Sequence, residues 1–303
     1  MKKTYFGLLI IAVFVSLYSL LMNQFSNGTS QNEKEQQIFF AHKFLDHDQF
    51  HCVLAGDSRV YRGLNPVAFE KTLGIKTINL GYDSAGYGPD FFQLIDDRLS
   101  KESPRYLIIG ISPHSFTPRA TSNGQLVEYE KMPPAEARSI LHPTLLDKYF
   151  PAISLRKLQK HNNEDAGDKA LIEEHFSNGF APAQMKKNDP TEAVKSYTAI
   201  FKEQTFSQDA EDLLIKKVKE YTSSGVTVFG VRMPTSKEIH TVEDELSGFN
   251  EQEFVTRFQS NGGHWVKIPT KNYETFDGSH LVPSSADQIS KLVSEQAMEM
   301  VSK

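Results

Sequence analysis

Two short segments hold residue types that together can activate a serine hydroxyl. Gly-Asp-Ser ends at Ser58 after an apolar run, and Asp-Gly-Ser-His runs from Asp277 to His280 near the C-terminus. A serine hydroxyl is a poor nucleophile at neutral pH, so it needs a histidine that takes its proton and a carboxylate that orients this histidine. We therefore predict acyl-transfer chemistry, with Ser58 as the nucleophile, His280 as its base and Asp277 as the orienting acid.

Each segment also has an ordinary structural interpretation. Asp57 and Ser58 are both good helix N-caps. Asp277 and Gly278 are common turn residues, which would leave His280 packed or solvated. The joint placement favours the catalytic interpretation, because one segment follows a predicted strand and the other precedes the last predicted helix.

In order and placement, the two segments resemble the first and last sequence blocks of the SGNH (GDSL-like) hydrolase superfamily. The resemblance implies an α/β fold, a three-layer sandwich with a parallel, flavodoxin-like central sheet. It also implies a serine esterase or acyltransferase without a cofactor. The oxyanion donors of this family are the N–H of the serine itself (here Ser58), a glycine N–H from the second block and an asparagine side chain from the third.

The second and third blocks match the family only in part. Residues 79–86 read Asn-Leu-Gly-Tyr-Asp-Ser-Ala-Gly, which offers the N–H of Gly86 or Ser84, with Gly81 as the alternative. Residues 112–115 read Ser-Pro-His-Ser where the family has Gly-x-Asn-Asp. His114 therefore either replaces the asparagine as a donor or is a loop residue. Loss of one donor typically costs on the order of a hundredfold in rate, which is compatible with a slower or more specialised acyl transfer.

Two arginines are candidates for substrate binding. Arg59 follows the nucleophile directly and either holds a carboxylate or phosphate of the substrate or pairs with an acid on the rim. Arg232, followed by Ser236, leaves the C-terminal end of a predicted strand, where α/β proteins collect site residues. The remaining histidines lack the spacing of metal ligands, so we predict no metal.

Composition narrows the class of protein. The chain has 303 residues, of which 39% are hydrophobic and 23% charged, which is typical of a globular protein. A net charge of -5 does not favour nucleic-acid binding. The single cysteine, Cys52, cannot form an intramolecular disulfide and lies in an apolar run, where we expect it to pack as a small hydrophobe.

The pattern of elements favours a parallel sheet. Apolar runs predict strands at 52–55, 75–80, 106–111, 226–231 and 264–268, and helical spacing predicts helices at 37–47, 65–73, 90–99, 209–223, 250–260 and 284–300. A proline-rich stretch at about 115–207 breaks this alternation and holds two more predicted helices, at 155–161 and 191–201. We interpret it as an insertion that caps the site, with a mobile excursion as the alternative.

The N-terminus indicates a membrane anchor. Lys2 and Lys3 precede an apolar run from Phe6 to Met22, and polar sequence follows. This run approaches the length of a bilayer span, and the charge distribution places the body outside the cytoplasm. We predict an uncleaved signal anchor at 1–23, a linker at 24–37 and a catalytic domain at 38–303. The protein would then be single-pass in a bacterial inner membrane with a periplasmic domain; a cleaved signal peptide is the alternative.

The anchor, the insertion and the altered third block resemble the membrane-anchored SGNH proteins of alginate acetylation and teichoic-acid D-alanylation. This resemblance implies O-acyl transfer, specifically of acetyl groups, to an envelope polysaccharide, with a multi-spanning membrane O-acyltransferase as partner. Two alternatives remain. One is an esterase or deacetylase that uses the same residues, and the other is a non-catalytic assembly protein on a decayed hydrolase fold.

Overall fold

The computed structural model describes residues 31–141, 171–269 and 273–302. Five of its strands form one parallel sheet in the order β2-β1-β3-β6-β7, and two form a separate antiparallel hairpin, β4-β5. The strands are β1 (Cys52–Ala55), β2 (Thr77–Asn79), β3 (Tyr106–Ile111), β4 (Leu171–Glu173), β5 (Ala183–Met185), β6 (Thr227–Arg232) and β7 (His264–Trp265).

Helices alternate with the strands along most of the described chain. They are α1 (Gln31–Leu45), α2 (Ser58–Gly63), α3 (Pro66–Leu73), α4 (Pro89–Arg98), a 3₁₀ turn (Pro113–Phe116), α5 (Pro118–Thr121), α6 (Gln125–Glu130), α7 (Pro134–Leu141), α8 (Thr191–Glu203), α9 (Gln208–Ser223), α10 (Lys237–Leu246), α11 (Glu251–Ser260) and α12 (Pro283–Val301).

The sheet separates two apolar cores, because successive strand residues face opposite sides. Val53 and Ala55 pack in the core that contains α1, α4, α9 and α11. Cys52 and Leu54 pack in the core that contains α2, α3 and α12. A strand buried on both faces reads as a continuous apolar run, which is how β1 and β3 could be predicted. The molecule is therefore a three-layer α/β fold with a central parallel sheet, as predicted.

The strand order places the predicted site residues at one edge of the sheet. From β1 the chain pairs with β2 on one side, then crosses to β3 on the other side of β1. The crevice at such a reversal, outside the carboxyl ends of the strands, is where doubly wound proteins bind ligands. Ser58 follows β1 and His114 follows β3, so both leave the sheet at this reversal.

Several elements differ from the sequence prediction. The predicted strands 75–80 and 264–268 are shorter, as β2 and β7. The hairpin β4-β5 and helix α10 were not predicted. In α10 only Ile239 and Glu243 are buried, and a buried glutamate does not register in a pattern of apolar residues.

Two of the predicted segments lie outside the described residues. They are the anchor at 1–23 and the helix at 155–161. In the part of the chain that the structure describes, no helix combines the length and apolar character needed to cross a membrane. Helix α1 includes residues 31–37 of the predicted linker, and it contributes Phe39, Phe40 and Phe44 to the core.

Gly81 is predicted to be intolerant of a side chain, because it packs on the turn that carries Ser58. A Cβ there would lie 2.8 Å from the Tyr61 nitrogen and 2.9 Å from the Asp57 carbonyl oxygen, both backbone atoms. We expect Gly81→Ala to lower the free energy of unfolding by about 1–3 kcal/mol, measured by urea denaturation. Gly124→Ala is the matched control, because a Cβ there meets nothing within 4 Å. Equal stability changes in the two variants would contradict this packing.

Candidate active site

A sharp turn after β1 presents Ser58. Gly56 has a φ of +152°, and a Cβ on it would lie 2.5 Å from a Val60 methyl group and 2.9 Å from the Gly110 carbonyl oxygen, so glycine fits best. Asp57 then caps α2, its Oδ1 accepting the Arg59 N–H at 2.9 Å. Ser58 is the first residue of α2 and is partly exposed, while Asp57 is fully buried.

The structure brings the three predicted side chains into one hydrogen-bonded chain. His280 Nε2 lies 2.8 Å from Ser58 Oγ, and His280 Nδ1 lies 2.7 Å from Asp277 Oδ2. The neutral imidazole that satisfies both contacts carries its proton on Nδ1 and donates it to Asp277. Nε2 is then free to accept the proton of Ser58, which is the arrangement that general-base activation of a serine requires.

The Asp277 carboxylate also shapes the loop that carries His280. Its Oδ1 accepts the backbone N–H of Ser279 at 2.9 Å and that of His280 at 2.8 Å. Burial alone would raise the pKa of Asp277, but the hydrogen bond with the His280 side chain, and the charge that this ring carries when protonated, outweigh burial and lower the pKa to about 2. On the other side of the imidazole, the Phe276 ring stacks on His280 with centroids 5.5 Å apart. Asp277 is therefore an ionised acceptor that fixes the orientation of His280.

His114 lies beside Asp57, the residue before the predicted nucleophile. Its ring is buried, and its Nε2 lies 3.3 Å from Asp57 Oδ2. Burial lowers the pKa of His114, an effect that the nearby Asp57 only partly offsets, so the ring is neutral and carries one N–H. Neither His114 Nδ1 nor Asp57 Oδ2 has a hydrogen-bond partner among the described residues, so either ring nitrogen can carry the N–H. The donor role of His114 therefore stays a prediction.

Of the three second-block candidates, only Ser84 keeps an exposed position. Gly86 is buried, and a Cβ on it would lie 2.2 Å from the Ala120 backbone. The Gly81 N–H donates to Asn79 Oδ1 at 2.9 Å. Gly81, the alternative donor, is therefore already committed to Asn79, whereas the donor role of Gly86 stays a prediction.

Ser84 lies in a turn with a φ of +49°. The Asp83 carbonyl oxygen, in the peptide that carries the Ser84 N–H, accepts from the Asn123 side chain at 2.7 Å. The turn is attached to the site through Tyr82, whose N–H donates to the Gly56 carbonyl oxygen at 3.2 Å. The N–H groups of Ser58, Ser84 and Gly86 and the ring of His114 stay our predicted oxyanion donors.

Arg59 is a buried structural cation, which overturns its predicted role in substrate binding. Its guanidinium forms an ion pair with Glu243 at 2.6 Å, and both side chains are 1% exposed. Burial alone would lower the pKa of Arg59, but the charge of Glu243 outweighs burial and raises the pKa above its ordinary value. The alternative, that Arg59 pairs with an acid, is the one observed, although the acid lies in the interior and not on the rim.

Arg232 is also committed to carboxylates. It contacts Glu251 at 2.6 Å, Asp244 at 2.8 Å and Glu243 at 3.1 Å, which overturns its predicted role in substrate binding. Ser236 serves as the N-cap of α10, and its N–H donates to the Gly278 carbonyl oxygen at 2.7 Å. Both residues thus hold α10 and the His280 loop in place.

Three residues around the site were missed by sequence reasoning. Ser279 lies between the two predicted catalytic residues of its loop, yet its side chain was not considered. Tyr197 lies on α8 inside the proline-rich stretch, and its hydroxyl is 2.9 Å from Ser279 Oγ. Glu243 is the buried partner of Arg59. The only available signal was Ser279, whose position beside His280 is evident from the sequence.

Two other chemistries have no support in the described residues. Within the described ranges, no group of three or more His, Cys, Asp or Glu side chains is arranged to hold a metal ion. Cys52 is fully buried in β1, and burial raises the pKa of its thiol far from the range of a nucleophilic cysteine.

Comparison with known proteins adds little to this geometry. No protein-family model matches the chain, and no curated protein matches it. One similar solved structure is provisionally described as a platelet activating factor from Streptococcus pneumonia, with 12% identity, a TM-score of 0.39, and coverage of 93% of this chain and 98% of that one.

A second solved structure is provisionally described as an acylhydrolase from Bacteroides fragilis, with 12% identity, a TM-score of 0.38, and coverage of 87% of this chain and 96% of that one. At these TM-scores neither likeness carries an argument about family or activity. The case for function therefore depends on the site itself.

The lowered pKa of Asp277 predicts a defined pH dependence of stability. Its folded pKa of about 2 lies below the ordinary value of 3.8, so the stabilisation is complete above pH 3.8 and is lost as the pH falls towards 2. Asp277→Asn removes this contribution. We expect the difference in free energy of unfolding between wild type and variant, measured by urea denaturation, to shrink from pH 5 to pH 2.5.

Gly124→Ala, which removes no titratable group, is the control for that series. Its difference from wild type should stay the same across this pH range. A constant difference for Asp277→Asn as well would contradict the ionised hydrogen-bonded pair.

Proposed function

We propose that this protein is a serine-dependent acyl-transfer enzyme with Ser58 as its nucleophile, and that it belongs to the SGNH-like hydrolases. The observation that carries the proposal is the continuous hydrogen-bonded chain from Ser58 Oγ through His280 to Asp277, with contacts of 2.8 and 2.7 Å. All three groups lie at the sheet edge where α/β proteins place their chemistry.

In the first half-reaction, Ser58 Oγ attacks the carbonyl carbon of an acyl ester while His280 Nε2 takes its proton. The negative charge that develops on the carbonyl oxygen is stabilised by the predicted N–H donors. Asp277 stabilises the imidazolium that forms. Collapse of the tetrahedral intermediate breaks the ester bond, and His280 returns the proton to the leaving oxygen. The product is an acyl-Ser58 ester and a free alcohol.

The second half-reaction decides between a transferase and an esterase. His280 takes a proton from the acceptor hydroxyl, whose oxygen attacks the acyl carbonyl. The bond between Ser58 Oγ and the acyl carbon then breaks, and His280 returns the proton to Ser58 Oγ. A sugar hydroxyl gives a new ester, whereas water gives the free acid. We propose O-acyl, specifically acetyl, transfer to an envelope polysaccharide, working with a multi-spanning membrane O-acyltransferase that supplies the acyl group.

Two features support a polymeric envelope acceptor. The sequence before α1 contains the apolar run from Phe6 to Met22 behind two lysines, which favours a position at a membrane. An open groove of about 660 Å³ is lined by Val282, two residues after His280, and by Lys186, Lys187 and Glu274, but not by Ser58 or His280. An open groove lined by charged side chains suits a long, polar chain better than a closed apolar pocket does.

The esterase alternative uses the same first half-reaction and is separated only by the acceptor. The non-catalytic alternative is disfavoured by the geometry, because a decayed site has no need to keep an orienting carboxylate, a base and a hydroxyl in hydrogen-bond contact. The experiments below therefore test first whether Ser58 is reactive and then which acceptor it serves.

Reactivity of Ser58 is tested by fluorophosphonate labelling of the purified full chain. We expect Ser58→Ala to abolish labelling, because the nucleophile is gone, and His280→Gln to slow it by about a thousandfold or more. Ser260→Ala, an exposed change on α11, should label like wild type. Wild-type labelling of Ser58→Ala would exclude the proposed nucleophile.

The acceptor is tested with a chromogenic acetyl ester, in the presence and absence of an acidic oligosaccharide. We expect the oligosaccharide to accelerate release of the chromophore and to become acetylated, because it intercepts the acyl-enzyme faster than water does. Products are separated by mass spectrometry, and Ser58→Ala serves as the blank. Quantitative free acetate with no acetylated sugar would instead establish the esterase alternative.

A further inference from the structure

We infer that Tyr197 and Arg59 are positioning residues that hold the acid–base loop against the nucleophile turn through the hydroxyl of Ser279. This inference rests on the proposed function, since it concerns how the Ser58–His280 contact is maintained. It assigns helix α8, from the proline-rich stretch, a part in catalysis.

The Ser279 hydroxyl is where the three elements meet. Ser279 is 1% exposed. Its Oγ accepts the Nε–H of Arg59 at 3.0 Å and lies 2.9 Å from the Tyr197 hydroxyl. One buried oxygen thus joins α2, which begins at Ser58, to α8 and to the loop between Asp277 and His280. Truncating any one partner leaves a buried polar group without one of its bonds.

The guanidinium of Arg59 is itself held in place, so the donor of the hydrogen bond to Ser279 has a defined position. Glu243 binds the guanidinium at 2.6 Å, and the Tyr197 ring lies 5.1 Å below its central carbon. Arg232 holds the same Glu243 from the other side at 3.1 Å. Removing one partner of a buried ion pair leaves the other charge uncompensated, so each of these contacts is strongly favoured.

Tyr197 contacts three of the segments that form the site: helix α2, the 3₁₀ turn after β3 and the loop between Asp277 and His280. Besides Ser279 and Arg59, its ring packs edge-on against His114, with centroids 5.4 Å apart. His114 lies on the 3₁₀ turn after β3 and contacts Asp57, the residue before the nucleophile. A single side chain from α8 therefore touches the residues next to the nucleophile and next to the base.

The position of Ser279 controls the reacting geometry because its backbone is fixed by hydrogen bonds. Its own N–H and that of His280 both donate to the same Asp277 oxygen, at 2.9 and 2.8 Å. A shift of Ser279 would therefore displace the carboxylate and the imidazole together. Misplacement of reacting groups by about 1 Å is enough to cost on the order of a hundredfold in rate. The hydroxyl of Tyr197 can thus affect the reaction without touching the substrate.

The test compares Tyr197→Phe, which removes only the hydroxyl, with Ser279→Ala and with the double variant. The full chain is labelled with a fluorophosphonate over a range of concentrations, which separates the maximal labelling rate (kinact) from the half-saturating concentration (KI). Tyr129→Phe is the matched control, because its hydroxyl bonds the Gln37 carbonyl on α1, away from the site. Thermal melting of every variant reports folding.

We expect Tyr197→Phe and Ser279→Ala each to lower kinact about tenfold or more, with KI unchanged, and the double variant to be no slower than Ser279→Ala alone. Tyr129→Phe should keep the wild-type kinact. An unchanged kinact in Tyr197→Phe, a change confined to KI, or additive losses in the double variant would overturn the inference. If Tyr197→Phe does not fold, Ser279→Ala against wild type decides alone.

Failure of the proposed function gives a different result. A wild-type chain that does not label at Ser58 removes the function, and with it the reaction that Tyr197 would support. A wild-type chain that labels at Ser58, together with a Tyr197→Phe variant of equal kinact, removes only the positioning role.

Discussion

The contact between His280 and Ser58 is the constraint on which the site depends. It joins residues 222 positions apart, so no local structure maintains it. The parallel sheet places the end of β1, and with it Ser58, at one edge of the sheet. Helix α12 packs against α2 and α3 in the apolar core that also contains Leu281, so the His280 loop is held near that edge. The entropic cost of closing such a long loop grows only slowly with its length, so buried apolar area can offset it. Removing either end would leave the other side chain without its partner.

Buried charged side chains hold the segments of the site that the apolar cores bring together. Beside the nucleophile turn, Glu243 forms ion pairs with two arginines, Arg59 and Arg232. A further buried basic side chain, Lys43 on α1, donates to the Gly81 carbonyl oxygen at 2.6 Å and lies 4.1 Å from the Phe39 ring centroid, and burial lowers its pKa well below the ordinary value. Isolated buried charges are costly, and these are retained where each one fixes a backbone segment of the site. The turn that carries Ser58 is thus held from both sides.

Local patterns account for what could be predicted from the sequence, and long-range partners account for what could not. Residues 52–55 and 106–111 are apolar throughout because both faces are buried, and Ser58, Asp277 and His280 lie in short segments of known chemistry. Nothing in the neighbourhood of Arg59 indicates that its partner is Glu243, on a helix whose buried face is largely polar. Likewise, three residues of the second block offered an N–H, and only the structure shows that the N–H of Gly81 is already bonded to the Asn79 side chain.

The buried histidine beside the nucleophile turn shows why the position of a residue in the sequence does not determine its contacts. His114 Nε2 lies 3.3 Å from Asp57 Oδ2, and the Tyr197 ring packs edge-on against the His114 ring. Burial lowers the pKa of His114, which favours a neutral ring with a single N–H. Neither Nδ1 nor Asp57 Oδ2 has a hydrogen-bond partner among the described residues. The tautomer of His114 therefore decides whether its N–H serves Asp57 or an oxyanion, and only the folded site sets that choice.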